Sequence, residues 1–546
     1  MKTRFSKYIF VVGGVMSGVG KGITTASIGA ILKSKGFSVT AVKIDPYINV
    51  DAGTMNPTEH GEVFVTMDGD ETDQDIGNYE RFLNVSLSRT NYMTTGRVYQ
   101  TVINRERNLE YKGRNVEVVP DIPNEVLRRI KKAARDTGSN FTLIEIGGTV
   151  GEYQNLLFLE AARMMKLQFP NDVLSVLVSY LPIPSNIGEM KTKPTQYASR
   201  TLNSAGIQND FVICRAEVDL DTKRKTKIAQ FCNVSPEFVI SAPDVKSIYD
   251  VPINFEKQHL GDKILEKLGI RSHRKDLHEW RKMVSNIKNA KKVLNVGVVG
   301  KYFSSGDFIL SDVYISVIEA IKHAAAEEKV KVNLQWIDST TFERRAAKIA
   351  TLSKLDAMIV PGGFGSRGIK GVLMAITYAR KNKIPYLGLC YGMQLATIEF
   401  ARNVAKIAQA DTVEINPKAP HPIIHINEVQ QKNLAAKNYG NTMRLGSYRC
   451  ILQKNSLVAS LYRARTISER HRHRYEFNNA YLERLKNAGL VFSGICPDNQ
   501  LVEIIELPTT VHPFFVGTQF HPEFQSRPLH PHPLFVGLLR ASLRRR

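Results

Sequence analysis

Tyr8-Ile-Phe-Val-Val-Gly-Gly-Val-Met-Ser-Gly-Val-Gly-Lys-Gly22 decides how the first half of this chain folds. A short apolar run breaks at Gly13-Gly14, passes through a glycine-rich loop, and gives way to helical spacing from Ile23 to Lys35. That order predicts a strand buried on both faces, a loop and a helix, the opening unit of a parallel sheet. Glycines let backbone N–H groups approach phosphate oxygens, and the helix N-terminus adds positive potential. Lys21 is placed to reach the outer phosphates. The spacing departs from GxxxxGK[ST]: Val15 stands five before Gly20, and Gly22 takes the place of a magnesium-binding hydroxyl. The loop therefore points to a nucleoside triphosphate, the plain alternative being a structural glycine turn. Any Mg²⁺ would need carboxylates from elsewhere. Candidates are Asp75, in Glu71-Thr-Asp-Gln-Asp-Ile-Gly77, and Glu145, in the apolar run Thr142–Ile146 just before Gly147-Gly148. Lys2, Arg4 and Lys7 ahead of the apolar run resemble a signal peptide, but the early glycines favour the strand.

Similar apolar runs at 38–43, 142–146, 173–179 and 211–214, separated by helical stretches, extend this sheet. A second series occupies 293–298, 330–336, 357–360 and 386–389. The expected fold is thus α/β, with two doubly wound parallel-sheet domains at 1–266 and 293–546. Residues 267–292 carry nine Lys/Arg against two Asp/Glu and read as a solvated linker helix. The 546 residues hold 74 Lys+Arg and 52 Asp+Glu, a net +22 that suits polyanionic ligands. No nucleic-acid recognition motif accompanies that charge, so no nucleic-acid partner is expected. Cys214, Cys232, Cys390, Cys450 and Cys496 lack CxxC spacing, which argues against a zinc ribbon or disulfide framework and for a reducing compartment. No apolar stretch approaches the ~20 residues of a membrane span. A cytoplasmic protein without membrane partners is the expectation, with Arg544-Arg-Arg546 a frayed tail.

Lys383-Ile-Pro-Tyr-Leu-Gly-Leu-Cys-Tyr-Gly-Met-Gln394 reads as strand, tight turn and helix, with Gly388-x-Cys390-x-Gly392 a nucleophile elbow. A thiol at a helix N-terminus is favoured as thiolate. Pro361-Gly-Gly-Phe-Gly365, at another strand end, could form an oxyanion hole with the N–H of Tyr391. His521, after Phe514-Phe-Val-Gly-Thr-Gln-Phe520, can take the thiol proton, and Glu523 can orient the imidazolium. Lys191-Thr-Lys-Pro-Thr-Gln196 offers two ammonium groups, hydroxyls and an amide, suited to a second polyphosphate or a nucleobase.

These motifs together resemble the CTP synthase family over almost the whole chain. Ser17–Gly22, Lys43-Ile-Asp-Pro-Tyr-Ile-Asn49, His60-Gly-Glu-Val-Phe-Val65, Asn78-Tyr-Glu-Arg-Phe82, Glu145–Gly151 and Lys191–Gln196 are similar to its P-loop, Rossmann-like amidoligase (synthetase) domain. Pro361–Gly365, Gly388–Gln394, Thr442-Met-Arg-Leu-Gly446, Arg470-His-Arg-His-Arg-Tyr-Glu476 and Phe520–Phe524 are similar to its class I glutamine amidotransferase domain. The resemblance implies a glutamine-hydrolysing ligase of pyrimidine biosynthesis. ATP would sit on Gly18, Val19, Gly20, Lys21, Gly22 and Ile23, with adenine near Asp244 and Val245 and Mg²⁺ on Asp75 and Glu145. The γ-phosphoryl group would pass to O4 of UTP, with Lys21 and Lys43 stabilising its charge, and ammonia would displace phosphate. Ser17, Lys191, Thr192, Lys193, Pro194, Thr195, Gln196 and Lys227 match the region that holds UTP or product CTP, and Glu152-Tyr153-Gln154 stands at neighbouring contacts. Cys390 would form a glutamyl thioester, with glutamine held by Gly363, Tyr391, Gly392, Met393, Gln394, Glu414 and Arg474. Released ammonia would travel inside the protein. The resemblance further implies GTP as allosteric activator through Arg367, CTP as feedback inhibitor, and homotetramers, sometimes in filaments.

Several residues depart from the family pattern. Glu152-Tyr-Gln154 replaces Asp-x-Glu, Asp121 and Pro123 fall where His and Thr are usual, Tyr197 replaces His, Pro243 replaces Lys, and Tyr391 replaces Leu. Three other readings are a carboxylate amidoligase, a partitioning-type ATPase and a filament protein with dead sites. Asp45–Asn49 and Lys191–Gln196 oppose the first, the Cys-His-Glu set the second, and the intact catalytic residues the third.

Overall fold

The computed structural model describes residues 6–55, 61–186, 188–272, 277–300, 304–305, 308–309, 311–426 and 443–545. Lys2, Arg4, His60, Thr442, Arg546 and residues 273–276 of the basic connector lie outside them. The chain forms two compact units, Met1–Thr54 with Asp75–Arg281, and Met55–Gln74 with Lys282–Arg546.

In the first unit seven strands run parallel, in the order Tyr92–Thr94, Val39–Asp45, Phe141–Ile146, Lys7–Gly14, Val173–Tyr180, Phe211–Ala216, Val239–Pro243. Val39–Asp45 and Phe141–Ile146 are buried along their whole length, as continuous apolar runs in a sheet covered by helices on both faces should be. Lys7–Gly14 lies at the centre, between Phe141–Ile146 and Val173–Tyr180, so the loop after it opens at the C-terminal edge of the sheet, where ligands bind in such folds. The basic connector corrects the reading of a solvated helix. In His278–Asn289, Trp280 is buried, its ring lies against Phe82 and Tyr249, and its Nε1–H donates to the Tyr249 carbonyl at 2.8 Å. Leu277, Met283 and Val284 are buried as well, so the connector carries apolar side chains out of water among its charges.

The second unit holds a nine-stranded sheet. Val330–Asp338, Lys292–Gly300, Ala357–Val360, Tyr386–Leu389 and Phe515–Thr518 are parallel. Val502–Glu506, Val491–Ile495, Arg444–Leu452 and Thr466–His473 continue it antiparallel. Residues 55–74, which the expected boundaries place with the first domain, belong to this unit. The short strands Phe64–Val65 and Glu71–Thr72 pair antiparallel around a turn at Gly69 (φ 82°), where a Cβ would meet the Leu445 carbonyl at 3.0 Å. Phe64 meets Phe524 edge-on at 5.0 Å, Arg470 donates to the Val65 carbonyl at 3.1 Å, and Ser447 N donates to the Met67 carbonyl at 2.9 Å. Among the described residues no helix is long and apolar enough to cross a membrane.

Candidate active sites

The glycine loop ends at Gly20 (φ 91°), the N-cap of helix Lys21–Ser34. Lys21 is buried and its Nζ donates to the Gly148 carbonyl at 2.8 Å. Burial pushes its ammonium below the ordinary range, against the pull of Glu145. The missing hydroxyl at Gly22 has a steric reason: a Cβ there would lie 2.1 Å from Asp75 Oδ1. Asp75 opens helix Gln74–Leu83 and occupies the space a Ser or Thr would need.

Lys43, on Val39–Asp45, is the centre of this group. Its Nζ contacts Asp75 Oδ2, lies 2.9 Å from Glu145 Oε1 and 3.7 Å from Asp45 Oδ1. The Tyr79 hydroxyl donates to Glu145 Oε2. Burial raises the Glu145 carboxyl and Lys43 only partly offsets it, whereas at Asp75 burial is outweighed by Lys43 and the carboxyl is held low. Three carboxylates around one ammonium leave an excess of negative charge beside the phosphate loop. Among the described residues no three-carboxylate or histidine cage for a metal exists. Mg²⁺ asks for only one or two protein carboxylates besides phosphate and water, so Asp75 and Glu145 fit it, with the Lys43 ammonium now standing in as their cation.

Next to the loop opens a cavity of about 360 Å³ whose walls include Val19, Ile23, Pro243, Asp244, Val245 and Phe255. Arg215, absent from the sequence reading, braces it. Its guanidinium donates to the Gly18 carbonyl and to Asp244 Oδ1, both at 3.0 Å. Pro243, where the family pattern has Lys, lines the same cavity. Around Lys191–Gln196 the roles divide. Thr195 is buried and hydrogen-bonds Ser179 at 2.8 Å, Gln196 donates to Thr192, Lys191 pairs with Glu189, and Pro194 lies in the first turn of helix Lys193–Ser204. Lys193, Lys227, Ser17 and Tyr197 are exposed. Glu152 is tied back by the Thr149 N–H at 2.9 Å and by Gln154 Nε2 at 2.6 Å, while Tyr153 is 93% exposed. Asp121 receives a forked contact from Arg114 and the Glu117 N–H at 2.9 Å, so its carboxylate caps the segment that leads into the next helix.

In the second unit Cys390 is the N-cap of helix Tyr391–Asn403, at φ 50°, ψ −98°. A non-glycine residue at positive φ is costly, and the turn survives because its flanks are glycines. A Cβ on Gly392 would meet the Val360 carbonyl at 2.2 Å, and one on Gly388 the Gly392 carbonyl carbon at 2.7 Å. The Cys390 N–H donates to the Thr518 carbonyl at 2.6 Å, which pins the elbow to the neighbouring strand. His521 Nδ1 donates to Glu523 Oε1 at 2.7 Å, and the His521 N–H donates to the Arg470 carbonyl at 2.8 Å. Burial alone would lower the imidazole. Glu523 and the Cys390 thiolate outweigh it and push the pKa up to about 10. Gly362 sits under the ring, where a Cβ would approach Cε1 to 2.8 Å. The Gly365 N–H donates to Glu414 Oε1 at 2.7 Å, and the Tyr391 hydroxyl donates to the Gly365 carbonyl at 3.0 Å. Met393 is wholly buried in the core. Gly363 and Arg474 are half-buried, and Arg367 is exposed on the loop before helix Ile369–Lys381.

The sequence reading also missed Tyr79, Gln519, and Arg472 with its partner Glu71. Arg472 Nε lies 2.8 Å from Glu71 Oε1, and the Arg472 carbonyl faces Cys390 Sγ at 3.9 Å. A glutamine inside the apolar run before His521 was the one signal for Gln519, since a buried amide must find partners.

Residues 7–270 match the family described as CTP synthase N-terminus, and residues 309–541 the class I glutamine amidotransferase family. The chain is 49% identical to a CTP synthase of Caldanaerobacter subterraneus subsp. tengcongensis over 539 residues, 98% of each chain. It is 48% identical to a CTP synthase of Thermococcus gammatolerans over 543 residues, 99% of each chain. Among solved structures, the glutaminase domain of Trypanosoma brucei CTPS with bound acivicin is 34% identical, spans 46% of this chain and 94% of its own, and superposes with a TM-score of 0.42.

Proposed function

The chain belongs to the CTP synthase family, and on that premise we propose how its residues divide the work of aminating UTP to CTP. The enzyme is a glutamine-hydrolysing C–N ligase of pyrimidine nucleotide biosynthesis, with ATP as co-substrate. ATP lies along Gly18–Ile23, its base in the cavity beside Asp244 and Val245. Asp75 and Glu145 would hold Mg²⁺, which would supply neutralisation of charge on the phosphates. Lys21 and Lys43 stabilise the phosphoryl group as it passes to O4 of UTP. The 4-phosphoryl-UTP so formed carries a good leaving group, and ammonia displaces phosphate at C4. UTP is held by Lys191–Gln196 and Lys227, with Glu152, Tyr153 and Gln154 nearby.

In the second unit His521 takes the Cys390 proton, the thiolate attacks the carboxamide, and the N–H groups of Gly363 and Tyr391 receive the oxyanion. Gln394, Glu414 and Arg474 hold the substrate's other groups. His521 returns that proton to the leaving nitrogen, the C–N bond breaks and ammonia departs, and water then hydrolyses the glutamyl thioester to glutamate and the free thiol. GTP acts as activator through Arg367, CTP as feedback inhibitor, and the enzyme works as a homotetramer able to stack into filaments. The observation that carries this reading is one chain with a Cys390–His521–Glu523 centre and a phosphate loop whose neighbouring Lys43 is ringed by three carboxylates.

The test is CTP formation from UTP, ATP and Mg²⁺, run separately with glutamine and with ammonium. Cys390→Ala abolishes the first and spares the second. Glutamine hydrolysis without CTP from either source would overturn the assignment of the substrate.

A further inference from the structure

We infer that Gln519 is a positioning residue for the glutaminase nucleophile: its amide N–H holds the Cys390 sulfur, and a relay anchored on a backbone carbonyl fixes which end of that amide faces it. Gln519 is completely buried, directly after strand Phe515–Thr518. Its Nε2 lies 3.6 Å from Cys390 Sγ. A side-chain amide can present oxygen or nitrogen, but here the choice is forced. Gln394 Nε2 is 3.0 Å from the Tyr475 carbonyl oxygen and 3.2 Å from Gln519 Oε1. A backbone carbonyl only accepts, so Gln394 turns its nitrogen toward both. Gln519 must then turn its oxygen to Gln394 and its N–H to the sulfur. The Tyr475 carbonyl is held from a second side by His473 Nδ1 at 3.1 Å, and His473 Nε2 accepts from His471 Nδ1 at 2.8 Å.

The sulfur thus has two partners of opposite kind. The Arg472 carbonyl at 3.9 Å suits the S–H, and the Gln519 N–H suits the thiolate. When the proton leaves sulfur for His521, the first contact is given up and the second strengthens, since hydrogen bonds to a charged acceptor are the stronger ones. Gln519 thereby favours the thiolate while keeping it on the Gln519 side of the elbow. Gln394 spends both of its N–H bonds in the relay, which leaves its oxygen as the atom that can meet glutamine.

The inference rests on Cys390 being the nucleophile. The experiment compares Gln519→Met, close in shape and without a donor, with wild type and with Cys390→Ala as the blank for the other cysteines. It reads glutamine-dependent kcat, KM for glutamine, the rate of Cys390 alkylation by iodoacetamide, and the unfolding midpoint. The expected result is a kcat lower by about 10- to 100-fold and alkylation slower by about tenfold, with KM within about threefold. The midpoint is expected to hold. If Gln519→Met unfolds early, the isosteric Gln519→Glu at pH 8 turns a carboxylate toward the sulfur, and alkylation slows at least as much. Wild-type kcat and alkylation in a folded variant would overturn the role of Gln519. Glutamine-dependent turnover surviving in Cys390→Ala would instead overturn the reading beneath it.

Discussion

Replacing Glu523 by Gln removes one negative charge and almost no volume from a buried site. His521 is held at about 10 against an ordinary 6.5, and Glu523, 2.7 Å from its Nδ1, is the largest of the influences that raise it. That rise amounts to about 5 kcal/mol in favour of the imidazolium. Losing the largest of those influences predicts a fall of roughly 10- to 100-fold wherever the mechanism needs a cationic His521. General acid–base groups commonly contribute on that scale. The neutral amide can also turn its N–H toward Nδ1 and impose the opposite tautomer, which adds to the loss. Glutamate release under saturating glutamine measures it directly, and CTP formation from ammonium reports that the rest of the enzyme is intact. A glutamine-dependent kcat within about threefold of wild type would refute the argument, because the imidazolium would then not depend on that carboxylate.

Lys43→Met strips the cation from Asp45, Asp75 and Glu145. CTP formation should be lost with either nitrogen source, and the unfolding free energy should drop by about 3–5 kcal/mol, the usual result of breaking a buried ion pair from one side. A folded variant that still makes CTP from ammonium at the wild-type rate counts against a role for Lys43 in phosphoryl transfer. Gly22→Ser restores the expected hydroxyl but drives its Cβ to within 2.1 Å of Asp75 Oδ1. Ammonium-dependent CTP formation should fall at least tenfold, and a gain in activity would show that Asp75 yields its place freely. His512 gives a test by pH. It is buried, its Nε2–H donates to the Ala379 carbonyl at 3.3 Å and its Nδ1 accepts the Phe514 N–H at 3.2 Å, so it is locked neutral. Burial lowers its pKa to about 4. The unfolded chain binds the proton first, so this contribution is complete above pH 6.5 and falls by about 3 kcal/mol as pH drops to about 4. In His512→Gln that part of the acid sensitivity disappears. Parallel pH–stability curves for the two proteins would exclude it.

Both sheets were legible where burial on two faces leaves an uninterrupted apolar run, as at residues 8–12 and in Ala357–Val360. The antiparallel strands were not. Thr466-Ile-Ser-Glu-Arg-His-Arg-His473 is polar or charged everywhere but Ile467, and only pairing to Arg444–Leu452 makes it a strand. The phosphate loop and the cysteine elbow could be read because glycine at fixed offsets answers a local steric need. Glu145 could be suspected from one acid in an apolar run, whereas Arg215 and Asp45 look like ordinary polar residues until the fold brings them to the loop and to Lys43. Trp280 was lost among lysines and arginines. Composition averages over a helix, but burial acts on a single face.

The hairpin of Phe64–Val65 and Glu71–Thr72 also bears on how such a gene can be rearranged. The chain's texture invites a cut of the coding region at the basic connector. A carboxy-terminal piece made that way would lack Phe64, Val65 and Glu71, which brace Phe524, Arg470 and Arg472. Recombination that exchanged one half at the connector would pair this hairpin with a foreign partner surface, and its three contacts would have to be re-formed there.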